Sequence, residues 1–322
     1  MSEKDRKVRN GKMKFLLYAF LTITVLYCLI QGVRCVNGLY KAQNKLNSYV
    51  VNVADLSYGP MTYVDAGEGE VILSVHGIFG GYDQAYDNVK NRTSKNRLLA
   101  PSRFGYPGSA VKGNGTPEEQ AAAFKELLDY LKIDRVFVLA TSAGGTPAIR
   151  FALDYPERVK GLILFCSVMP VNKKPVSYLE YQAPPKPLLS DYAMYLISPL
   201  MPALMGMPAS TVEAIQPISE RKDGVILDGK LTNPDMERNF EQYLIEELNV
   251  PVLILHSEDD PVASFEKVEN VQHRFPNLTL VTFPDGGHMM AGHSQEIDKA
   301  LNDFLNRFFC TIKPPNGFEK IP

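Results

Sequence analysis

Four short segments carry residues able to do nucleophilic or acid–base chemistry. The apolar run Val136–Ala140 passes directly into Thr141-Ser142-Ala143-Gly144-Gly145 and then a helical stretch. A serine at a tight strand-to-helix turn projects its hydroxyl from a sheet edge, with a helix N-terminus beneath it to stabilise developing negative charge. Such a nucleophile needs a base to take its proton, and the base needs a carboxylate to fix its tautomer. The run Val252–His256 ends in Ser257-Glu258-Asp259-Asp260-Pro261-Val262, and the next apolar run ends in Asp285-Gly286-Gly287-His288. The fourth segment, Val75-His76-Gly77-Ile78-Phe79-Gly80-Gly81, is a Gly-rich turn in which a backbone N–H can face a substrate. Paired with the Ala143 N–H it would form an oxyanion hole, with Ile78 as the second donor and Phe79 as the alternative. Taken singly these signals are weak, because Ser-Ala-Gly-Gly and Gly-rich turns are also ordinary loops.

The elements that must position them alternate in type. Val50–Tyr58 and Met61–Asp65 read as a hairpin around Gly59-Pro60, followed by strands at Val71–Val75 and Leu98–Ala100. Thr116-Pro117-Glu118-Glu119 opens a helix with an N-cap, an early proline and acidic residues at the positive dipole end. That helix is expected to bury Ala122, Phe124, Leu127, Leu128 and Leu131. Strand Val136–Ala140, a helix over 143–155 and strand Gly161–Cys166 follow. Strand Val252–His256, a helix over 265–275, strand Leu278–Phe283 and a helix over 297–309 complete the pattern. Alternation of this kind predicts an α/β fold with a mostly parallel central sheet covered by helices on both faces. All four chemical segments would then gather at the carboxyl edge of that sheet. The alternation stops over 168–249, which is rich in proline and methionine and too long for a loop. It is expected to form a helical cap insertion, its Met and Tyr residues either lining a lipophilic pocket or gluing the cap to the sheet.

Composition narrows the class further. The 322 residues carry 34 Lys+Arg against 36 Asp+Glu, a balance that argues against nucleic acid as a partner. Hydrophobic residues at 45% and charged residues at 22% are ordinary for a globular domain, and four Cys make no disulfide scaffold. The N-terminus is different. Residues 15–33 contain no charge, about 30 Å of helix and enough to cross a bilayer. Lys4, Arg6, Lys7, Arg9, Lys12 and Lys14 precede the segment, so the positive-inside bias puts residues 1–14 in the cytoplasm and the rest outside it. A cleaved signal peptide and a buried or peripheral helix are the competing readings, but Leu29–Arg34 offers no small-residue cleavage pattern. Tyr27 and Arg34 are also the wrong size to precede a lipidated Cys28 or Cys35. A linker at 34–49, a main domain at 50–310 and a flexible tail at 311–322 are expected to follow.

His76–Gly81 (HGIFGG), the TSAGG around Ser142, Ser257–Val262 (SEDDPV) and Gly286–His288 (GGH) together resemble the α/β-hydrolase fold superfamily. Ala100–Ser109 (APSRFGYPGS) and Phe151–Leu164 (FALDYPERVKGLIL) resemble its lipase- and esterase-like members. The resemblance covers about residues 50–310 and departs from the family pattern at two positions. Ala140 stands where the elbow normally has glycine, and Ser257 where a glycine often precedes the acid. It implies Ser142 as nucleophile, His288 as base and Asp260 as acid. Asp260 is favoured over Asp259 because the family's acid commonly stands directly before an x-Val pair, here Pro261-Val262. His293 is the alternative base. His76 is expected to order the Gly-rich turn, His256 and His273 to be structural, and Cys166 to be core.

The spacing of His and Cys suggests no metal site, and no Walker or Rossmann glycine pattern implies a cofactor. Asn91, Asn114 and Asn277 head glycosylation sequons, which matter only in a eukaryotic secretory pathway. The expectation is a membrane-anchored serine hydrolase acting on a small-molecule ester or other acyl substrate. Peptidase, acyl-transfer or perhydrolase chemistry would use the same triad, and a non-catalytic binding protein could use the same fold. A peptidase would need acidic cap residues such as Glu180, Asp191 or Glu213 to hold a terminal amine. Oligomeric state is not legible in the sequence.

Overall fold

The computed structural model describes residues 3–205 and 207–309; the tail expected at 311–322 lies outside the described residues. Eight strands form one sheet: β1 (Asn52–Leu56), β2 (Gly59–Ala66), β3 (Glu70–Val75), β4 (Asn96–Pro101), β5 (Val136–Thr141), β6 (Val159–Phe165), β7 (Val252–Ser257) and β8 (Leu278–Phe283). Their order is β1-β2-β4-β3-β5-β6-β7-β8. β1 and β2 pair antiparallel, β2 meets β4 antiparallel, and every later pair is parallel. The first hairpin turns at Ser57-Tyr58, two residues earlier than expected, and Gly59-Pro60 already belongs to β2. β5 is buried at every position, as a central parallel strand covered on both faces must be.

Helices α3 (Pro117–Tyr130) and α4 (Gly145–Asp154) pack on one face of the sheet, together with α10 (Phe265–Val271). The opposite face is covered by α11 (Ser294–Phe309) through Ile297, Leu301, Phe304 and Leu305. In α3 the Thr116 hydroxyl accepts the Glu119 N–H, completing the expected N-cap. The buried face carries Phe124, Leu127 and Leu128 as expected, each worth roughly 1.5–3 kcal/mol of burial. Ala121 and Ala123 are the buried alanines, whereas Ala122 and Leu131 are only half-buried. Alanine is too small to mark helix phase in a sequence.

Between β6 and β7 lie α5 (Asp191–Ile197), α6 (Met201–Met205), α7 (Thr211–Ala214), α8 (Lys222–Leu227) and α9 (Asn233–Arg238), joined by single turns. Two buried ion pairs tie this cap to the sheet's carboxyl edge. Arg103, after β4, meets Asp228 with contacts of 2.7 and 2.5 Å, and Tyr106 Oη donates to the same carboxylate at 2.6 Å. Arg221 meets Asp83 at 2.8 Å, Asp83 lying in α2 (Tyr82–Asp87).

The N-terminal helix α1 runs from Glu3 to Asn47, so residues 34–47 are helix rather than linker. Gln31, Cys35, Ala42 and Leu46 are buried along it, with Gly32 and Leu39 partly so. These residues recur every three or four positions and form a stripe facing the domain. The physical reason is tertiary: the stripe closes against α5 and α2, partners that lie far along the chain. Leu46 packs with Tyr82 and Ala85, and Lys45 bridges to Asp87 at 2.6 Å. Among the described residues α1 is the one helix long and apolar enough to cross a membrane.

Candidate active site

β5 delivers Ser142 in extended geometry through Thr141, and the chain then bends sharply, with Ser142 at φ 53°. A non-glycine residue in this left-handed region carries of order 1–3 kcal/mol of strain, held here by the surrounding packing. The bend brings Gly144 against the end of β3. A Cβ added there would lie 2.5 Å from the Val75 carbonyl oxygen and 2.6 Å from that of His76. Gly77 is similarly crowded, with Ser142 Cβ 3.0 Å from where its own Cβ would stand. Ala140 takes the place of the usual first glycine; it is buried between Val75 and Leu164 in the neighbouring strands.

Ser142 Oγ is 2.9 Å from His288 Nε2, and His288 Nδ1 is 2.8 Å from Asp260 Oδ2. The carboxylate must accept at Nδ1–H, which leaves the His288 Nε2 lone pair facing the serine hydroxyl. All three residues are buried. Asp260 Oδ1 accepts the backbone N–H groups of Val262 and Ala263 at 2.8 and 3.0 Å. Burial acts to raise the Asp260 pKa. The hydrogen bonds from His256, His288 and the Ala263 N–H outweigh it and hold the group well below the usual carboxylate range.

Its neighbour has a different environment. Asp259 Oδ1 accepts the Gly287 N–H at 2.9 Å and lies 2.6 Å from Ser257 Oγ. Asp259 therefore fastens the loop after β7 to the loop carrying His288. Ser257, the other departure from the family pattern, also reaches the Asp285 carbonyl at 2.7 Å. His293 is paired with Asp285 at 2.8 Å and stacks on Phe283, away from Ser142.

The turn after β3 is braced from several sides. His76 Nε2 accepts the Arg103 N–H at 2.9 Å, so Nδ1 carries the proton and donates to Gly77 O at 2.7 Å. Burial, reinforced by the Arg103 charge, pushes the His76 pKa well below its usual value. Gly77 N–H is taken by Gln84 Oε1 at 3.1 Å and Gly80 N–H by Gly77 O at 3.2 Å. Among the described residues, the Ile78 N–H has no protein acceptor. Ala143 N–H stands at a helix start, where backbone donors lack intrahelical partners.

Cys166 sits beneath the elbow, fully buried, and burial together with the Asp260 charge raises its thiol pKa. A raised thiol pKa disfavours the thiolate that nucleophilic attack requires.

Three contributors escaped the sequence reading. His256 Nε2 is 3.3 Å from Asp260 Oδ2 and 2.7 Å from Ala263 O, although its place at a strand end suggested a structural role alone. Arg103 shapes the Gly-rich turn, and its only sequence signal was membership of the APSRFGYPGS segment. Lys45 of α1 lines the cavity described next, a placement that no local pattern announces.

Ser142 and His288 open into a cavity of about 400 Å³, within the usual range for small-molecule sites. One wall is apolar and comes from the cap: Leu188, Met194, Ile197, Met201, Met207 and Ile215. Three cap methionines thus face the cavity, whereas Tyr195 packs the cap against α1. Outside the cap the lining includes Lys45, Asp87, Asn88 and Thr141 together with Ile78, Phe79, Val262 and Met289. Among the described residues no cluster of His, Cys, Asp and Glu could hold a metal ion.

Comparison with known proteins agrees with this architecture. A profile of the alpha/beta hydrolase fold matches residues 70–291. An uncharacterized hydrolase of Bacillus subtilis, YcgS, is 26% identical over 262 residues, covering 72% of this chain and 89% of its own. A 2-hydroxy-6-oxononadienedioate/2-hydroxy-6-oxononatrienedioate hydrolase of Paraburkholderia phymatum is 26% identical, over 76% of this chain and 90% of its own. Among solved structures, an esterase from Exiguobacterium antarcticum superimposes with a TM-score of 0.66 at 19% identity, covering 80% of this chain and all of its own. At that identity the superposition speaks to the fold alone. The profile spans most of the chain and includes the ends of β3, β5, β7 and β8, so the chain belongs to the alpha/beta hydrolase fold family and is a hydrolase.

Proposed function

We propose that this hydrolase cleaves carboxylic esters through a nucleophilic Ser142, with His288 as base and Asp260 as acid, while anchored in a membrane by residues 15–33. The observation that carries the reading is the continuous relay from Asp260 through His288 to Ser142, opening on a cavity with one apolar wall. His288 Nε2 takes the Ser142 proton as Oγ attacks the ester carbonyl. The resulting oxyanion accepts hydrogen bonds from the Ala143 and Ile78 N–H groups, with Phe79 as the alternative to Ile78. His288⁺, steadied by Asp260, returns the proton to the departing alcohol and leaves an acyl-Ser142. Water deprotonated by His288 then attacks that acyl group and releases the carboxylic acid.

Peptidase chemistry draws less support from the cap. Asp191 accepts the Ile218 and Ser219 N–H groups, while Glu180 and Glu213 are exposed and paired with Arg238 and Arg34. None of the three lines the cavity. Acyl transfer and perhydrolysis would share the acyl-enzyme and differ only in the acceptor. The membrane reading rests on the uncharged segment Phe15–Val33 and the basic residues before it, whose positive-inside bias favours a catalytic domain on the extracytoplasmic side.

The test uses the full chain in detergent micelles with esters of increasing acyl length, beside Ser142→Ala. Ester cleavage by the wild type and none by the variant is expected, with the acid and alcohol as the only products. Cleavage by both proteins would reject Ser142 as nucleophile. Products carrying added alcohol or peroxide oxygen would favour transfer or perhydrolysis. Protease added outside intact cells should reach the catalytic domain, and protection of that domain would reject the extracytoplasmic assignment.

A further inference from the structure

The apolar part of α1 and the cap over the cavity overlap along the helix. Tyr27 Oη donates to the Leu196 carbonyl at 2.6 Å, and Tyr192 Oη donates to the Cys28 carbonyl at 2.7 Å. Gly32 faces the Tyr192 ring, and Gly38 lies so close to Tyr195 that an added Cβ would strike its hydroxyl. α5 therefore crosses α1 between about Tyr27 and Gly38. The uncharged stretch from Phe15 to Leu26, before the first contact with α5, is about 18 Å long at 1.5 Å per residue. A bilayer's hydrocarbon core is about 30 Å thick. The uncharged residues 28–33, against which α5 is packed, extend the stretch by about 9 Å, with Leu29, Ile30 and Val33 exposed. If α1 spans the membrane, this side of the cap sits within its outer interface.

The same short stretch of cap has a second face. Met194, Ile197 and Met201 line the catalytic cavity, while Leu200, between the last two, and Tyr192, just before the first, are exposed. Lys45 and its partner Asp87 close the opposite end of the cavity, roughly 17 Å further along α1 from Arg34. The cavity is thus apolar toward the bilayer level and polar away from it.

We propose that the enzyme takes its substrate directly from the bilayer that α1 spans. The substrate class is a long-chain amphiphilic ester, its hydrocarbon chain admitted past Met194, Ile197 and Met201 and its polar end directed toward Lys45 and Asp87. The proposal rests on the ester-hydrolase and membrane-anchor readings given above and adds the route and the substrate class to them.

The chain contains no tryptophan, so single reporters can be read without background. Full-length Leu200→Trp, Leu21→Trp and Val176→Trp are placed in vesicles of brominated phosphatidylcholine, and tryptophan quenching is measured. Leu21 is in the exposed apolar helix, and Val176 is an exposed cap position outside the segment packed on α1. Quenching at Leu21 and Leu200 but not at Val176 is expected. Quenching at Leu21 alone would overturn the proposal and leave the anchor standing. Quenching at none, or equally at all three, would remove the anchor or its orientation and the proposal with it. A second arm compares a palmitate ester dissolved in plain vesicles with a water-soluble butyrate ester. Leu200→Glu should lower kcat/KM on the first by about tenfold and leave the second within about twofold. Equal loss on both, or no loss on the palmitate ester, would overturn the route. Failure of wild type on both esters would reject the ester reading and this substrate class together, while the quenching result still judges the bilayer contact.

Discussion

His256 Nε2 stands 3.3 Å from Asp260 Oδ2, the same oxygen that faces His288. Because Nε2 also donates to the Ala263 carbonyl, the ring holds its proton on that nitrogen and presents an N–H to the carboxylate. Asp260 is thereby kept as an anion inside a buried site. In His256→Phe this donor is lost while the His288 contact and two backbone donors remain. A hydrogen bond to a charged group contributes about 1.5–3 kcal/mol, so kcat/KM should fall about tenfold or somewhat more. The acidic limb of the pH–rate profile should move at the same time. An unchanged profile would reduce His256 to a packing residue.

Gly144 and Ala140 make opposite forecasts although both occupy elbow positions. Gly144→Ala drives a Cβ into the Val75 and His76 carbonyls, which are backbone and cannot step aside. Ester cleavage should be lost, with a stability cost of about 1–3 kcal/mol or more from the overpacked turn. Ala140→Gly restores the usual family residue at a position that already fits. It should leave kcat/KM within about twofold and cost roughly 0.5–1 kcal/mol for glycine in a strand. Thermal melts and ester kinetics on the two variants check both statements.

His76 gives the pH dependence of stability a sign. Its folded pKa is depressed, so below about 6.5 the unfolded chain takes up a proton that the folded chain refuses. Stability from this site is complete above that value and declines as pH falls from 6.5 toward 5, at up to about 1.4 kcal/mol per pH unit. Asp260 adds nothing in that window, since a depressed carboxylate begins to lose its contribution only below about pH 4. Urea denaturation of wild type and His76→Asn from pH 7 to 5 should show a flatter decline in the variant. Parallel declines would mean that His76 is protonated in the folded protein.

The Arg103–Asp228 pair offers a stability test of the cap's attachment. Both side chains are essentially inaccessible, so Asp228→Ala leaves a buried guanidinium without its counter-charge. A loss of about 3–5 kcal/mol is expected. Lys125→Ala, which breaks the exposed pair with Asp129, should cost no more than about 0.5 kcal/mol. Equal melting temperatures for the two variants would refute this reading of the buried pair.

The parts of this architecture visible in the sequence are those with local causes. Strands β5, β6 and β7 announce themselves as short apolar runs, and Thr116-Pro117 marks α3 through capping chemistry. Ser142, Asp260 and His288 were placed from strand ends and a family resemblance, and the fold sets their side chains in hydrogen-bond contact. What escaped depends on distant partners. Arg103 and Asp228 lie 125 residues apart, and nothing near either one names the other. The stripe from Cys35 to Leu46 contains few large apolar residues, so its continuation of α1 shows only once α5 and α2 are in place. The strand position of His256 by itself reads as structural, whereas its contact with Asp260 arises from the turn at Pro261 to Ala263.

The most direct test of the relay is covalent. Full-length protein in micelles is treated with a fluorophosphonate, digested, and mapped by mass spectrometry, beside Ser142→Ala and His288→Ala. The expected result is a single adduct on the peptide bearing Ser142 in the wild type and none in Ser142→Ala. His288→Ala should label slower by at least about 10³-fold, since the base that activates the serine is gone. A folded wild-type protein that takes no label, or a label on any other residue, would contradict Ser142 as the activated nucleophile.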